Sequence, residues 1–305
     1  MNLNDCRSEL EELYSKKSVR AFFKILLLPF YFLTKLIPHR TVVIDHLEVV
    51  VGSRCTLRCR RCANLMQYYA QPVEFSAGQL KDDIVKLLEL NVWIDCVHLI
   101  GGEPFLFKEL HSLIALLHDS DKVGSIRIIT NGTITPADHL LKYLRLTKVH
   151  ILISNYVHVG ARTNEIFTFL KEAGTDVRVV TSAWYNYHHD FSGFKRSAEE
   201  VEKIYKQCNV ACHEMLNGEI HLCPTSAHGM YLGLIPQDEN SFVSIRHDGT
   251  PQAKRKIIVK LRKLLTQTIP NACSYCSGDS GEIIPAAEQL PAGTYLDRNG
   301  NVCRK

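Results

Sequence analysis

The sequence RCTLRCRRCAN at residues 54–64 places Cys55, Cys59 and Cys62 on one short segment. Closely spaced thiols in a reducing compartment are typical of metal sites. In a cubane iron–sulfur cluster each iron usually takes one thiolate from the protein, so three thiolates leave one iron open to another ligand. An open position is useful when a substrate or cosubstrate binds there. A zinc ion that borrows a remote histidine, or cysteines that are simply buried, are the alternatives at this point.

The composition is that of a globular protein. The chain has 305 residues, of which 46% are hydrophobic and 22% charged, and its formal net charge is +4. This length suits one barrel-sized α/β core, alone or with a small appendage. The net charge is too small to indicate a partner, and no nucleic acid is expected. The eleven cysteines are clustered and no signal peptide precedes them, which favours metal ligands over disulfides and predicts a cytoplasmic protein.

Apolar strands alternate with amphipathic helices along the chain. The predicted strands lie at residues 47–51, 96–100, 126–130, 149–154 and 177–181, and the predicted helices follow Ser76 and lie near residues 110–117, 137–144 and 163–173. Repeated strand–loop–helix units imply parallel strands with right-handed crossovers, as in a barrel or an open α/β sheet. Catalytic loops of such folds follow the carboxyl ends of the strands. The cysteine segment, GGEP at residues 101–104, Asn131 and Asn155 all follow predicted strands, which predicts a shared site.

The cysteine segment, the GGEP sequence and ITNGT at residues 129–133 resemble motifs of the radical SAM superfamily, and the resemblance covers residues 47–181. It implies an α/β fold, a partial (βα)6 TIM-like barrel. It also implies a [4Fe–4S] cluster held by Cys55, Cys59 and Cys62, with S-adenosylmethionine (SAM) bound to the open iron. The residues implied to bind SAM are Gly101, Gly102, Glu103, Pro104, Asn131, Ser154 and Asn155. Arg61 departs from the family, in which an aromatic residue often precedes the last cysteine.

The resemblance also implies a reaction. In this family, reductive cleavage of SAM gives methionine and a 5′-deoxyadenosyl radical, which abstracts a hydrogen atom from the substrate. We therefore expect an oxidoreductase-like enzyme with an electron donor such as flavodoxin or ferredoxin. The layout, a short apolar N-terminal helix followed by a barrel and a second cysteine group, resembles that of radical SAM proteins of surface carbohydrate biosynthesis. This resemblance implies a small polar substrate, a sugar or sugar nucleotide, which the enzyme dehydrogenates or epimerises. A peptide- or protein-modifying radical SAM enzyme is the alternative, and a non-catalytic zinc scaffold that binds nucleic acid is a third hypothesis.

A second group of cysteines lies in the last third of the chain and resembles the SPASM and Twitch auxiliary-cluster domains of the same superfamily. Its members are Cys208, Cys212, Cys223, Cys273 and Cys276. The resemblance implies one auxiliary [4Fe–4S] cluster with four of them as ligands, and the first ligand stays open between Cys208 and Cys212. A structural zinc ion is the alternative. Cys303 is a further candidate ligand, whereas Cys6 and Cys96 are interpreted as ordinary thiols.

These patterns divide the chain into an N-terminal helical extension at residues 1–45, a barrel core at 46–200 and a small auxiliary-cluster domain at 201–305. In the apolar segment 21–37 the uninterrupted apolar run, residues 25–33, is too short to span a bilayer. The segment is therefore interpreted as a helix on the protein or at a membrane surface. Residues 181–191 are expected either to overhang the active site or to pack between domains. The helix predicted at residues 253–265 is apolar on one face and otherwise basic, which indicates a solvated face or an anionic partner such as the inner membrane surface.

Overall fold

The computed structural model describes residues 41–208, 210, 212–278 and 281–305. The predicted N-terminal helix at residues 21–37 and Cys6 lie outside them. The strands are β1 (Val42–Val50), β2 (Val92–Ile100), β3 (Val123–Thr130), β4 (Val149–Ser154), β5 (Val177–Val180), β6 (Trp184–Tyr185), β7 (His213–Leu216), β8 (Glu219–His221), β9 (Phe242–Ser244), β10 (Ile283–Ile284), β11 (Thr294–Leu296) and β12 (Val302–Arg304). The helices are α1 (Ala77–Glu89), α2 (Leu110–His118), α3 (Asp138–Leu144), α4 (Thr163–Glu172), α5 (Ala198–Gln207), α6 (Pro224–Tyr231) and α7 (Pro251–Gln267).

One sheet of eight strands runs in the order β5-β4-β3-β2-β1-β7-β8-β9. Strand β1 pairs in parallel with both β2 and β7, and β3, β4 and β5 extend the parallel part on the far side of β2. Strands β8 and β9 continue the other edge in antiparallel orientation. The parallel strands and their helices confirm the predicted α/β class and agree with the predicted partial barrel. Because the six parallel strands point the same way, their carboxyl ends meet at one edge, where ligands of such sheets bind.

Side chains of the parallel strands alternate between a helix-covered face and an inner face. Leu47 and Val49 of β1 are buried in the main core with helix residues such as Ile84 of α1. Their neighbours His46 and Glu48 line a cavity instead. Successive side chains of a strand point to opposite faces. The helix-covered positions therefore stabilise the fold, and the inner positions are available for chemistry.

The hydrophobic periodicity located most of these elements. All five predicted strands are present, as are the helices predicted after Ser76 and at residues 110–117, 137–144, 163–173 and 253–265, with ends that differ by a few residues. Strands β6 to β12 and helices α5 and α6 have no counterpart among the predicted elements. Strand β7 is the sixth parallel strand and lies beyond residue 200, so the sheet extends into the segment assigned to the auxiliary domain. The division of the chain at residues 45 and 200 stays a prediction.

Helix α7 carries the predicted apolar and basic faces. Its buried residues, which belong to the main core, are Ile257, Ile258, Leu261 and Leu264. Its exposed basic residues include Arg255, Lys256, Lys260 and Lys263. The apolar face is thus used for packing on the protein, and the basic face lies at the surface. None of the helices that the structure describes is long and apolar enough to cross a membrane.

We expect Leu261→Ala to destabilise the protein by about 3 kcal/mol, because it removes a fully buried side chain and leaves a cavity. Val259→Ala on the same helix truncates a residue that is 57% exposed, and it should change the free energy of unfolding by no more than about 0.5 kcal/mol. Urea unfolding followed by circular dichroism measures both changes. Equal losses for the two variants would show that the described packing of α7 is wrong.

Candidate active site

The segment after β1, here called the cysteine loop (residues 54–64), brings three thiols to one cavity. Cys55, Cys59 and Cys62 line a cavity of about 270 Å³, which we call the loop cavity. Cys59 is buried and the other two are half-buried. The loops after β2, β3 and β4 complete the lining with four predicted site residues, Gly101, Gly102, Asn131 and Ser154. Motifs that are far apart in the sequence therefore meet here.

The three thiols influence one another's protonation. Burial raises the pKa of Cys55 to about 12, of Cys59 to about 11 and of Cys62 to about 12. Neighbouring thiols contribute to these values, since Cys62 raises the pKa of Cys55, Cys55 that of Cys59 and Cys59 that of Cys62. The free thiols are therefore protonated at neutral pH, and a metal centre binds by replacing their protons. Three converging thiols that line one cavity fit an iron–sulfur cluster with an open coordination position.

Two side-chain amides donate hydrogen bonds to these sulfurs. Asn131 Nδ2 lies 3.4 Å from Cys55 Sγ, and Gln289 Nε2 lies 3.4 Å from Cys59 Sγ. Gln289 Oε1 also accepts a hydrogen bond from the backbone N–H of Arg58 at 2.7 Å. Residue 289 belongs to a C-terminal segment that pairs with the cysteine loop in antiparallel fashion. The sequence analysis missed Gln289, because no local pattern links it to a loop 230 positions earlier.

The glycines of the GGEP sequence are required by backbone packing. The N–H of Gly102 donates to the carbonyl of Gly52 at 2.9 Å, and that of Glu103 donates to the carbonyl of Arg54 at 2.8 Å. A Cβ on Gly102 would lie 2.1 Å from the Arg54 carbonyl oxygen, and one on Gly101 would lie 2.3 Å from that of Gly52. The space that a Cβ would take at either glycine is filled by the start of the cysteine loop, so this backbone contact itself requires glycine.

Glu103 connects two of the loops through its side chain. Its buried carboxylate accepts hydrogen bonds from the N–H of Asn131 at 2.8 Å, the hydroxyl of Thr130 at 2.9 Å and the N–H of Phe105 at 3.1 Å. Burial raises the pKa of Glu103 to about 7, although these hydrogen bonds oppose the shift. The carboxylate thus holds the loop after β2 against the loop after β3.

The remaining predicted SAM-binding residues lie beside the loop cavity rather than in its lining. Pro104 is buried at the start of a short 3-10 helix, Pro104–Leu106. Asn155 donates its side-chain N–H to Thr181 Oγ1 at 3.1 Å and lines a separate cavity. Glu103, Pro104 and Asn155 therefore support the site from outside its lining.

Aromatic side chains reach the loop cavity from later segments. Tyr156, Trp184, Tyr185 and Tyr187 all line it, and the rings of Tyr156 and Trp184 meet edge to face at 5.8 Å. The segment 181–191 thus forms part of the cavity wall, which agrees with the expectation that it overhangs the active site. Arg61, at the family's aromatic position, lines the cavity too and pairs with Glu288 at 3.1 Å.

The second cysteine set, defined here as Cys208, Cys223, Cys273 and Cys276, lines another cavity of about 470 Å³, the inner cavity. Cys276, Cys273 and Cys208 all raise the pKa of Cys223, after the larger effect of burial. Cys212 lines the same cavity, but its strongest charged neighbours are Glu48 and Glu214. Cys208 influences the pKa of Cys223, Cys273 and Cys276, whereas Cys212 interacts with Cys223 alone among these three. The choice of Cys208 over Cys212 as a ligand stays a prediction. Cys303 lies on β12, which pairs with β11.

Backbone amides and one arginine surround the second cysteine set. The N–H of Ser226 donates to Cys223 Sγ at 3.4 Å, and that of Gly278 donates to Cys276 Sγ at 3.3 Å. Arg196 Nη1 donates to the carbonyl of Cys276 at 2.7 Å and to that of Cys273 at 3.1 Å. Four thiols with N–H donors and a nearby cation fit a negatively charged iron–sulfur cluster.

The inner cavity also has a polar wall on the parallel strands. His46, Glu48, His98 and Arg127 line it from β1, β2 and β3. Burial lowers the pKa of His98, but Cys96 and Glu48 outweigh this effect and raise it to about 9. The sequence analysis missed this wall. Strands of a parallel sheet are usually apolar at nearly every position. Polar residues at every second position of these strands are therefore the sequence feature that could have indicated this wall.

The two cavities adjoin and share part of their lining. The shared residues are Ala63, Asn64, Ala183, Tyr185 and Tyr187. The cysteine loop and the segment 181–191 therefore separate the first three thiols from the second cysteine set. The two cavities thus lie on either side of a common wall.

We expect Gly102→Ala to displace the cysteine loop, because its Cβ would overlap the backbone of Arg54. After anaerobic reconstitution, the variant should lose the iron that the cysteine loop binds. Gly78→Ala is the matched control, since the nearest atom to its Cβ is 4.0 Å away and alanine suits a helix. Iron and sulfide analysis measures the outcome. Full iron content in Gly102→Ala would contradict the packing explanation.

We expect Gln289→Ala to lower the reduction potential of the cluster predicted at the cysteine loop. An N–H donor to a thiolate favours the more negative, reduced state, so its loss should shift the potential by about −40 mV, equivalent to about 1 kcal/mol for one electron. Redox titration monitored by electron paramagnetic resonance measures the shift. Gln252→Ala, on the exposed side of α7, is the control, and identical potentials in the two variants would exclude a tuning role for Gln289.

Parts of this sequence are similar to known proteins. A sequence profile of the Radical SAM superfamily matches residues 49–209. The GTP 3′,8-cyclase of Clostridium acetobutylicum is 36% identical over 95 residues, 30% of this chain and 29% of that protein. The GTP 3′,8-cyclase of Peptoclostridium acidaminophilum is 27% identical over 140 residues, 43% of this chain and 42% of that protein. The chain thus spans less than half the length of these curated relatives.

Among solved structures, BtrN in complex with AdoMet and 2-DOIA is 14% identical, with a TM-score of 0.44 over 79% of this chain and 98% of that chain. The profile match rests on the sequence itself and covers more than half of the chain. It runs from the end of β1, through the cysteine loop and the GGEP turn, to the end of α5. The chain therefore belongs to the radical SAM superfamily, whose enzymes use a [4Fe–4S] cluster and S-adenosylmethionine.

Proposed function

We propose that this radical SAM enzyme is an oxidoreductase that removes hydrogen from a small polar substrate held between two iron–sulfur clusters. The cysteine loop would hold the SAM-binding cluster, and the second cysteine set would hold an auxiliary [4Fe–4S] cluster of the SPASM/Twitch type. The observation that carries the proposal is the shared wall, since residues such as Tyr185 and Tyr187 line both cavities. When bound, the first cluster and SAM supply the hydrogen-abstracting chemistry of the family.

The lining of the loop cavity supports a binding mode for SAM. The backbone at Gly101 and Gly102 packs against the start of the cysteine loop and lines the loop cavity, so it can approach the methionyl group. The side chains of Asn131 and Ser154 add polar groups for the ribose or the carboxylate. Tyr156 and Trp184 supply aromatic faces for the adenine. These rings would replace the aromatic residue that other family members often have at the position of Arg61.

The inner cavity supports a small polar substrate. Its volume of about 470 Å³ is typical of small-molecule sites. His46, Glu48, His98 and Arg127 offer donors and acceptors at its wall, which suits the hydroxyl groups of a sugar or the hydroxyl and phosphate groups of a sugar nucleotide. A nucleotide is the second candidate, favoured by the partial matches to proteins named GTP 3′,8-cyclase.

The four thiols of the second cysteine set support an electron-transfer role. They supply a full set of protein ligands, so no coordination position is left for a substrate. The wall shared by the two cavities supports a substrate position close to this acceptor. Loss of a hydrogen atom, a proton and one electron amounts to a two-electron oxidation, which makes dehydrogenation the proposed outcome. Epimerisation is redox-neutral and would instead require the return of a hydrogen atom to the substrate radical. These features favour an enzyme over the hypothesis of a non-catalytic zinc scaffold.

The proposal extends to partners. Reduction of the first cluster requires a low-potential donor such as a ferredoxin or flavodoxin, in keeping with a cytoplasmic enzyme. The exposed basic residues of α7 support a peripheral contact with an anionic membrane surface, where each charge contributes about 1 kcal/mol. This contact would be electrostatic, because the apolar face of α7 is already packed in the core.

We expect the triple variant Cys55→Ala, Cys59→Ala, Cys62→Ala to form no 5′-deoxyadenosine from SAM, while keeping the iron of the second cysteine set. The two groups of thiols lie on different segments, so the loss of one does not remove the ligands of the other. Anaerobic reconstitution, iron analysis and chromatography of SAM products with candidate sugar nucleotides and GTP measure the outcome. Formation of 5′-deoxyadenosine by the triple variant would refute the assignment.

A matched pair tests the auxiliary cluster in the same experiment. Cys208→Ala should lose the iron of the second cysteine set, because Cys208 is grouped with Cys223 and the C-x-x-C pair, whereas Cys212→Ala should keep it. Cys208→Ala should still cleave SAM but should not complete the oxidation of the substrate. Equal iron loss in both variants, or full iron in both, would overturn the assigned ligand set.

A further inference from the structure

Cys96, an ordinary thiol by sequence interpretation, belongs to a group of metal-ligating side chains on the inner face of the sheet. The ligand atoms of His46, Cys96 and His98 all lie within 4.8 Å of one another. Cys96 and His98 stand two positions apart on β2, and His46 of β1 lies opposite Cys96 in the parallel register. Residues two apart share one face of a strand. The strand pairing itself therefore brings these three side chains together.

Three buried ring nitrogens of this group form no hydrogen bond of normal geometry. Among the described residues, His46 Nδ1 and both ring nitrogens of His98 are buried without a hydrogen-bond partner. Cys96 is 3% exposed and His98 is 9% exposed. Buried polar atoms in folded proteins are almost always satisfied by protein groups, water or an ion. Several unpartnered nitrogens around one thiol therefore point to a ligand that satisfies them together.

We propose that His46, Cys96 and His98 bind a zinc ion. One thiolate and two imidazoles form the mixed sulfur and nitrogen donor set that zinc prefers. The site is distinct from the cysteine loop and from the second cysteine set, and it holds whether or not the chain cleaves SAM.

Glu48 lies beside the proposed zinc ligands and interacts with one of them, His98. Its Oε1 lies 3.5 Å from Nδ1 of His98, and the two residues face each other across β1 and β2. A carboxylate beside a zinc-bound histidine fixes the ring orientation and strengthens the ligand. With Nδ1 turned toward Glu48, Nε2 of His98 is the nitrogen left for zinc. The Cys96 thiolate and the Glu48 carboxylate together balance the two charges of the ion.

The open side of the zinc site faces the inner cavity. His46 and His98 both line that cavity, and three protein ligands leave a fourth tetrahedral position unfilled by the protein. Zinc sites that keep an open position bind water or a substrate oxygen, whereas closed sites with four protein ligands are structural. The zinc ion therefore gives the inner cavity a point of attachment for a hydroxyl, carbonyl or phosphate oxygen.

Zinc added to the fully reconstituted holoenzyme tests the site, because the cluster cysteines are then occupied by iron. After competition with a chelator, we expect one zinc ion per chain by elemental analysis. X-ray absorption at the zinc edge should show one sulfur and two nitrogen ligands from the protein. A shell of two or more sulfurs would mean that zinc occupies cluster cysteines, and either that result or the absence of bound zinc overturns the proposal.

Matched variants locate the ion. Cys96→Ser and His98→Gln should each weaken zinc binding by more than about 100-fold, the upper end of what loss of an outer-shell partner causes. Cys303→Ser and His118→Gln, outside the proposed ligand set, should bind zinc as the unchanged protein does. Glu48→Gln preserves the packing of the strand and should weaken binding about tenfold. Iron content reports whether each variant is folded, and tight zinc binding by iron-loaded Cys96→Ser and His98→Gln would refute the site.

Discussion

The active site depends on the close contact between the two backbones that leave β1 and β2. The parallel register of the strands ends at Val50 and Ile100, and hydrogen bonds continue it from Gly102 to Gly52 and from Glu103 to Arg54. No side chain fits between these segments at positions 101 and 102. The contact therefore fixes where the cysteine loop begins.

The same contact sets the position of the third loop. Once the N–H of Glu103 is bonded to the cysteine loop, the Glu103 carboxylate is held below the loop after β3, where it accepts from Thr130 and Asn131. Asn131 in turn donates to Cys55 Sγ. Three strand ends are thus joined by one chain of hydrogen bonds that returns to the first thiol. The positions of the three thiols therefore depend on the pairing of the strands as well as on the spacing of the cysteines in the sequence.

Sequence reasoning succeeded where the signal is local. Strand and helix periods, the capping serine at position 76 and the placement of motifs after strands all concern residues that are close in the chain, and the structure has Ser76 accepting from the N–H of Gln79 at 3.1 Å. It failed where the partner is remote. Gln289 and Arg196 contact cysteine segments across 230 and 77 to 80 positions, and no pattern near either residue indicates those contacts. The choice between Cys208 and Cys212 likewise depends on how a loop turns in three dimensions.

The segment that follows β5 lines both cavities and is hydrogen-bonded to the turn that carries Cys273 and Cys276. Tyr187 lines both cavities, and its carbonyl accepts from the N–H of Ser277 at 2.8 Å. The N–H groups of Asp190 and Phe194 donate to Tyr275 and Ser274, each at 3.0 Å, so this segment is bonded to the turn that carries the C-x-x-C pair. Thiols that are protonated when free gain their metal only by giving up protons, and the binding energy then contributes to folding. Because the turn and the shared wall are hydrogen-bonded to each other, a metal centre held by the second cysteine set would also stabilise the wall against which a substrate would lie.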